Sequence, residues 1–155
     1  MRSIIRGRAV VADAWRYAGE AGEGPEVLSL DAFLASAAGA SPAAGTAVIL
    51  QPTDEPEKLV PYLAQLALVV IDFPKVGEGR GFSQAQLLRQ RCGYRGELRA
   101  RGALKRDQLF FLARCGFDSF DLDPTEDLAA SLAAFSTFTA AYQRAVDGAL
   151  PLQSR

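Results

Sequence analysis

From residue 46 onward the chain alternates strand-like runs with helix-start signals, and this repeat constrains the fold more than any other feature. Segments 47–50, 68–73, 97–101 and 117–122 read as short strands, with helical patterns between them. Asp54-Glu55-Pro56-Glu57 opens the first of those helices. Acids suit the positive end of a helix and proline suits its first turn. Pro61 should kink or shorten that helix, because it brings no N–H. Ser83 reads as the cap of a helix ending near Gly93, and residues 104–115 as another, closed by Gly116. Asp123-Pro124-Thr125-Glu126 reads as the start of a last helix. Along it Leu128, Leu132, Phe135, Phe138, Tyr142 and Val146 recur at helical spacing, a stripe suited to core packing, before Gly148 and Pro151. Strand–helix alternation with short links predicts an α/β fold: about four consecutive βα units on a small parallel sheet, half-barrel-like or an open sandwich.

One strand favours the half-barrel. Glu97, Arg99 and Arg101 alternate with Leu98 and Ala100, so the charges share one face. Asp72 likewise points away from Ile71. A parallel strand covered on both faces reads as continuously apolar. These strands do not, so one sheet face should be polar, solvent-filled or covered by another subunit.

Ahead of the repeat, Ile4-Ile5 and Val10-Val11 flank Arg6-Gly7-Arg8, which predicts a β-hairpin, with Trp15 and Tyr17 continuing its apolar pattern. Residues 19–25 read as a loop, Ser29 as the cap of a helix start over 29–34, and 35–45 as a small-residue linker. Residues 1–45 are thus expected to pack on a βα-repeat domain of residues 46–150, the two forming a single globular unit.

Composition narrows the chemistry. A net charge of −1 over 155 residues argues against a general binder of nucleic acid or acidic membrane. Histidine is absent, which removes histidine acid–base catalysis, histidine metal ligation and any Ser-His or Cys-His dyad from this chain. Cys92 and Cys115 form no CxxC pair, and each precedes a helix-ending glycine, so both read as structural. The apolar run at 66–71 is far too short to span a bilayer, and the N-terminus has no long apolar core; a cytoplasmic location is expected.

The polar residues with most to offer lie between Asp72 and Phe120. Lys75, Gly79, Arg80 and Gly81, with Gly77 between them and Ser83 after, combine permissive backbone with cations at a helix start. The sequence G-E-G-R-G-F-S has neither the Walker nor the dinucleotide-binding spacing. Arg99, Arg101 and Arg106 would share a strand-end rim with Lys75 and Arg80, giving an anion- or partner-binding surface. Asp72, Asp107 and Gln108 are supporting candidates. No catalytic residue, metal set or cofactor motif is evident.

Six segments carry a resemblance: F-P-K at 73–75, G-R-G-F-S at 79–83, L-L-R at 87–89, G-E-L-R-A at 96–100, R-D-Q-L at 106–109 and R-C-G-F-D at 114–118. They resemble a bacterial family, domain-of-unknown-function family 934, over most of residues 4–146. Phe82 stands where that family commonly has tyrosine. The resemblance implies an oxidoreductase-associated role in assimilatory sulfite reduction, beside the sulfite reductase haemoprotein. Three readings follow: an auxiliary partner of that haemoprotein in electron supply, docking or maturation; an enzyme or sensor binding a small oxyanion on the basic rim; or a homodimer joined through the polar sheet face.

Overall fold

The computed structural model describes residues 3–39, 44–75 and 79–134. Seven strands form one sheet: β1 (Ser3–Arg6), β2 (Ala9–Ala12), β3 (Leu28–Ser29), β4 (Thr46–Leu50), β5 (Leu66–Phe73), β6 (Glu97–Gly102) and β7 (Ser119–Asp121). Their order across the sheet is β2-β1-β7-β6-β5-β4-β3. From β3 to β7 each strand pairs parallel with the next in sequence. The β1–β2 hairpin then adds antiparallel to β7, with Ile5 opposite Phe120. This is the α/β fold expected, with the hairpin as an extension.

The connecting helices share one face of the sheet. They are α1 (Leu30–Gly39), a 3₁₀ segment (Pro56–Gln65), α2 (Arg80–Gln86) running into a π-helical turn (Leu87–Arg91), and α3 (Leu109–Cys115). Phe33, Leu59, Leu88, Leu109 and Leu112 from these elements pack with Val48, Leu50, Val69, Ile71, Phe73, Leu98 and Ala100 in one buried cluster. Period-two alternation puts those strand residues on the same side. Consecutive strand order with one-sided helices is the arrangement of an open half-barrel. A sandwich, with helices on both faces, is not what these elements build.

The opposite face carries the charges. Residues 13–27 cross it, from the β2 edge of the sheet to the β3 edge. Tyr17 and Val27 pack there on Ala47, Leu68 and Val70, with Trp15 and Ile49 at the margin. Beside this patch lies Arg99, only 1% exposed. Its Nη1 donates to Asp13 Oδ1 at 3.0 Å and to the Tyr17 hydroxyl at 3.2 Å. Nη2 donates to Glu97 Oε2 at 3.0 Å and Nε to Ser119 Oγ at 3.2 Å. The polar face foreseen from β6 is therefore covered by the protein's own N-terminal segment.

Several local expectations shift. Ser29 does cap α1, its Oγ accepting from Ala32 N, but the helix runs on to Gly39 through residues expected to be linker. Its alanines favour helix strongly. The segment with Pro56 and Pro61 is 3₁₀ rather than α, since two prolines remove donors from the ladder. Because α2 begins at Arg80, Ser83 sits inside its first turn and caps nothing. The helix expected from 104 begins as a 3₁₀ turn (Arg106–Gln108) before α3, which Gly116 closes at φ 112°. The last helix is capped by Asp127, whose Oδ1 accepts from Ala129 N and Ala130 N, rather than by the Asp123 turn. It is helical over 128–134; the remainder of the predicted stripe lies outside the described residues.

Asp13→Ala should cost about 3 kcal/mol, because removing one member strands a buried charge. Urea unfolding measures this. In Asp13→Ala/Arg99→Met no buried charge is stranded by the lost partner, so much of the stability should return.

Candidate functional site

In parallel α/β sheets the carboxyl ends of the strands gather loops and helix N-termini, and ligands bind there. Register sets a charged row at that end. Asp72 on β5 lies opposite Arg101 on β6, and Arg101 lies opposite Asp121 on β7. All three project from the face that carries Arg99.

Among the described residues no hydrogen bond holds the Arg101 guanidinium; stacking and ion pairs do. Its guanidinium stacks 3.9 Å above the Tyr17 ring centre. Nε lies 3.4 Å from Asp121 Oδ2, and Nη2 lies 4.0 Å from Glu20 Oε2. Burial keeps the Tyr17 phenol above its ordinary pKa, against the pull of Arg99, so the ring is a neutral platform. Asp72 is half-buried. Desolvation pushes its carboxyl above the ordinary 3.8, while Arg101 and a hydrogen bond from the Gln51 side chain pull the other way.

Beyond β6 and β7 a cleft of about 470 Å³ opens, lined by Arg101, Gly102, Asp121, Asp123 and Glu126 among others. Gly102 has φ 125°, and a Cβ there would lie 2.4 Å from the Phe73 carbonyl oxygen. That carbonyl accepts from Ala103 N at 2.8 Å, locking the floor of the cleft to the end of β5. Asp123 Oδ1 accepts from Thr125 N and Oγ1, bonds that hold its carboxyl below the ordinary range with help from Lys105. Glu126 Oε1 accepts from Arg106 N at 3.1 Å.

The structure divides the residues singled out from sequence. Asp72 and Arg101 meet in the charged row. Arg99 is enclosed beneath the N-terminal segment and does not reach the rim. Lys75, Gly79, Arg80, Arg106 and Asp107 are exposed around the start of α2 and the approach to α3. Ser83 is exposed on α2 beside a shallow groove with Leu87 and Gln90. Gly81 is a packing residue, since a Cβ on it would sit 2.5 Å from the Phe73 ring. Gln108 closes its own turn, Oε1 accepting from Lys105 N. Gly77 lies outside the described residues. Cys115 is buried, which pushes its thiol pKa up, opposite to what a reactive thiolate needs.

Sequence reasoning missed Asp121, Tyr17, Glu20 and Gln84. Ser119 and Asp121 repeat on β7 the alternation seen on β6, so Asp121 had a local signal. Tyr17 and Glu20 had none, because they come from a loop that crosses the sheet. Gln84 Nε2 donates to Gln51 O and Asp54 O, pinning the loop after β4 to α2.

These features define an α/β protein with a one-sided, half-barrel-ordered sheet and a charged carboxyl rim. Its residues 47–153 match the family model described as "Bacterial protein of unknown function (DUF934)". The chain belongs to this family. The residues that neutralise Arg99 and Arg101 from the N-terminal side, Asp13 and Glu20, lie outside the matched stretch. No curated protein matches the chain, and no solved structure does.

Two outcomes are expected at the rim. The folded-state pKa of Asp72 is raised, so between 3.8 and that higher value the folded state holds more protons than the unfolded. Stability therefore falls as pH rises through this window, and the cost persists at neutral pH. Asp72→Asn should raise the melting temperature at pH 7, with the gap closing as pH falls below the 3.8 of the unfolded chain. Gly102→Ala combines positive φ with a backbone clash and should cost about 1–3 kcal/mol or more in urea unfolding.

Proposed function

We propose that this protein is an accessory factor of assimilatory sulfite reduction that docks on the sulfite reductase haemoprotein. Family membership supports the pathway, through the role that the resemblance implies. The observation that carries the docking role is the exposed aromatic surface where α2 meets α3. Phe111 is 52% exposed, and its ring lies 4.9 Å from that of Phe82. Large exposed aromatics among arginines are the usual anchors of protein interfaces.

The electrostatics fit an acidic partner. Segments Arg80–Arg91 and Arg106–Cys115 contain Arg80, Arg89, Arg91, Arg106 and Arg114 but a single carboxylate, Asp107. Lys75 adds an exposed cation just past the end of β5. The protein's own carboxylates flank Arg99 and Arg101 on the sheet face, and Asp118 pairs with Arg89 beside α2. Cations at the α2–α3 end would steer an acidic surface of the haemoprotein, and Phe111 would anchor it. Lys75, Arg80 and Arg106 are the partner-binding residues in this reading, with no catalytic group required of the chain.

Biolayer interferometry against immobilised sulfite reductase haemoprotein tests it. Phe111→Ala should lose roughly 2 kcal/mol of binding, about thirtyfold, with little change in melting temperature. Arg80→Glu should slow association, and the slowing should fade between about 0.05 M and about 0.5 M salt. Absence of binding, or binding indifferent to both variants, would refute the docking role.

A further inference from the structure

The sheet ends in two edge strands, and they differ in how they are guarded. β3 has only two residues, and so short an edge offers little for another chain to pair with. β2 runs Ala9-Val10-Val11-Ala12, and among the described residues it pairs with β1 alone. It holds no charge, no proline and no break in register, the devices that keep strand edges from pairing. Val10 is 40% exposed.

Register shows which main-chain groups are open. The two-residue turn Gly7-Arg8 makes Arg6 and Ala9 a hydrogen-bonded pair, and such pairs alternate along an antiparallel ladder. Val11 therefore bonds to Ile4, while Val10 and Ala12 direct N–H and C=O away from β1. The β7 side agrees. Ile5, opposite Val10, lies against Phe120, and Gly7 N donates to Asp118 O at 3.0 Å. Ile5 thus turns its main-chain groups to β7 and leaves those of Val10 facing outward.

We propose that β2 is the interface of a reversible homodimer, pairing antiparallel with β2 of a second copy about a two-fold axis at Val11. Val10 of each copy then lies opposite Ala12 of the other, and the two pairs exchange about four main-chain hydrogen bonds. A second copy suits this edge because a two-fold repeats one pairing twice and closes, leaving no β2 edge open. Charge selects the antiparallel sense. The turn end of the hairpin carries Arg8, exposed, and Arg6, which lies 4.0 Å from Glu97. At the other end Ser3 lines the cleft with Asp123 and Glu126, where Lys105 pairs with Asp123. Antiparallel pairing points each basic turn toward the acidic end of the other copy, whereas parallel pairing would set the two basic turns side by side. The contact is short, at the small end of protein interfaces, so the dimer interconverts with monomer. It uses none of the α2–α3 residues and does not rest on the docking role.

Sedimentation velocity on the full chain, from micromolar to millimolar concentration, tests this, together with amide hydrogen exchange at both ends of the series. A concentration-dependent dimer is expected, with the Val10 and Ala12 amides exchanging more slowly at the high end. Val11, already bonded to Ile4, is the internal control. Val10→Pro removes only an outward N–H, and Val10→Lys adds the charge that guards natural edges. Each should weaken association at least roughly tenfold with little change in melting temperature. A chain that stays monomeric throughout would overturn the proposal. So would a dimer indifferent to both variants, or one that leaves the Val10 and Ala12 amides unprotected. If Val10→Pro fails to fold, Val10→Lys and the exchange data decide.

Discussion

The structure depends on a guanidinium buried in the middle of its sheet. Arg99 lies on β6, flanked by β5 and β7, and is 1% exposed. A charge taken out of water at such a site needs counter-charge and hydrogen bonds in good geometry, or it destabilises the fold by several kcal/mol. Glu97 and Ser119 supply part of this from the sheet itself. The remainder comes from Asp13 and Tyr17, far away in sequence. Residues 13–27 are thereby drawn across the sheet face, and the N-terminal hairpin is placed against β7. The βα units and the first part of the chain thus share one electrostatic centre.

That centre separates the two faces of the sheet. Helices and a continuous apolar core occupy one side. Charge and a single crossing segment occupy the other, as in half of a barrel whose interior is plugged by its own chain. The same crossing segment also brings the Tyr17 ring over Arg101 and Glu20 to its far edge. The platform beneath Arg101 is thus a by-product of neutralising Arg99. At the rim, charge divides again. Cations concentrate where α2 and α3 begin, and carboxylates gather beyond β7. A chain whose net charge is only −1 can in this way present surfaces of opposite sign.

Local signals and structure agree where the signals depend on near neighbours. The hairpin around Gly7, the Ser29 cap, the positions of the parallel strands and the closure at Gly116 all follow from turn chemistry, capping and period-two alternation. The alternation Glu97, Arg99, Arg101 also announced a polar sheet face. Local chemistry misleads where tertiary packing competes with propensity. Ser83 has the chemistry of a cap, yet α2 starts three residues earlier because Gly81 lets it approach the Phe73 ring. Asp123 has the chemistry of a helix start, yet its carboxylate serves the 123–125 turn and Asp127 takes over as cap. For the site, Asp72 and Arg101 were legible as a strand-end pair. Arg99 was not separable from them, since three consecutive charges on one face look alike until their cover is known.

Local sequence pattern is enough to set the class of fold, the consecutive βα units and which face of the sheet carries charge. These depend on interactions within a few residues and on a periodicity that any strand obeys. What covers that face, which arginine is sequestered and which opens on a cleft are fixed by long-range packing. Those outcomes rest on contacts such as Asp13 to Arg99 and Tyr17 to Arg101, which span more than 80 residues of chain. No local pattern encodes them, because the free energy of a buried charge is set by groups that become its neighbours only when the chain has folded.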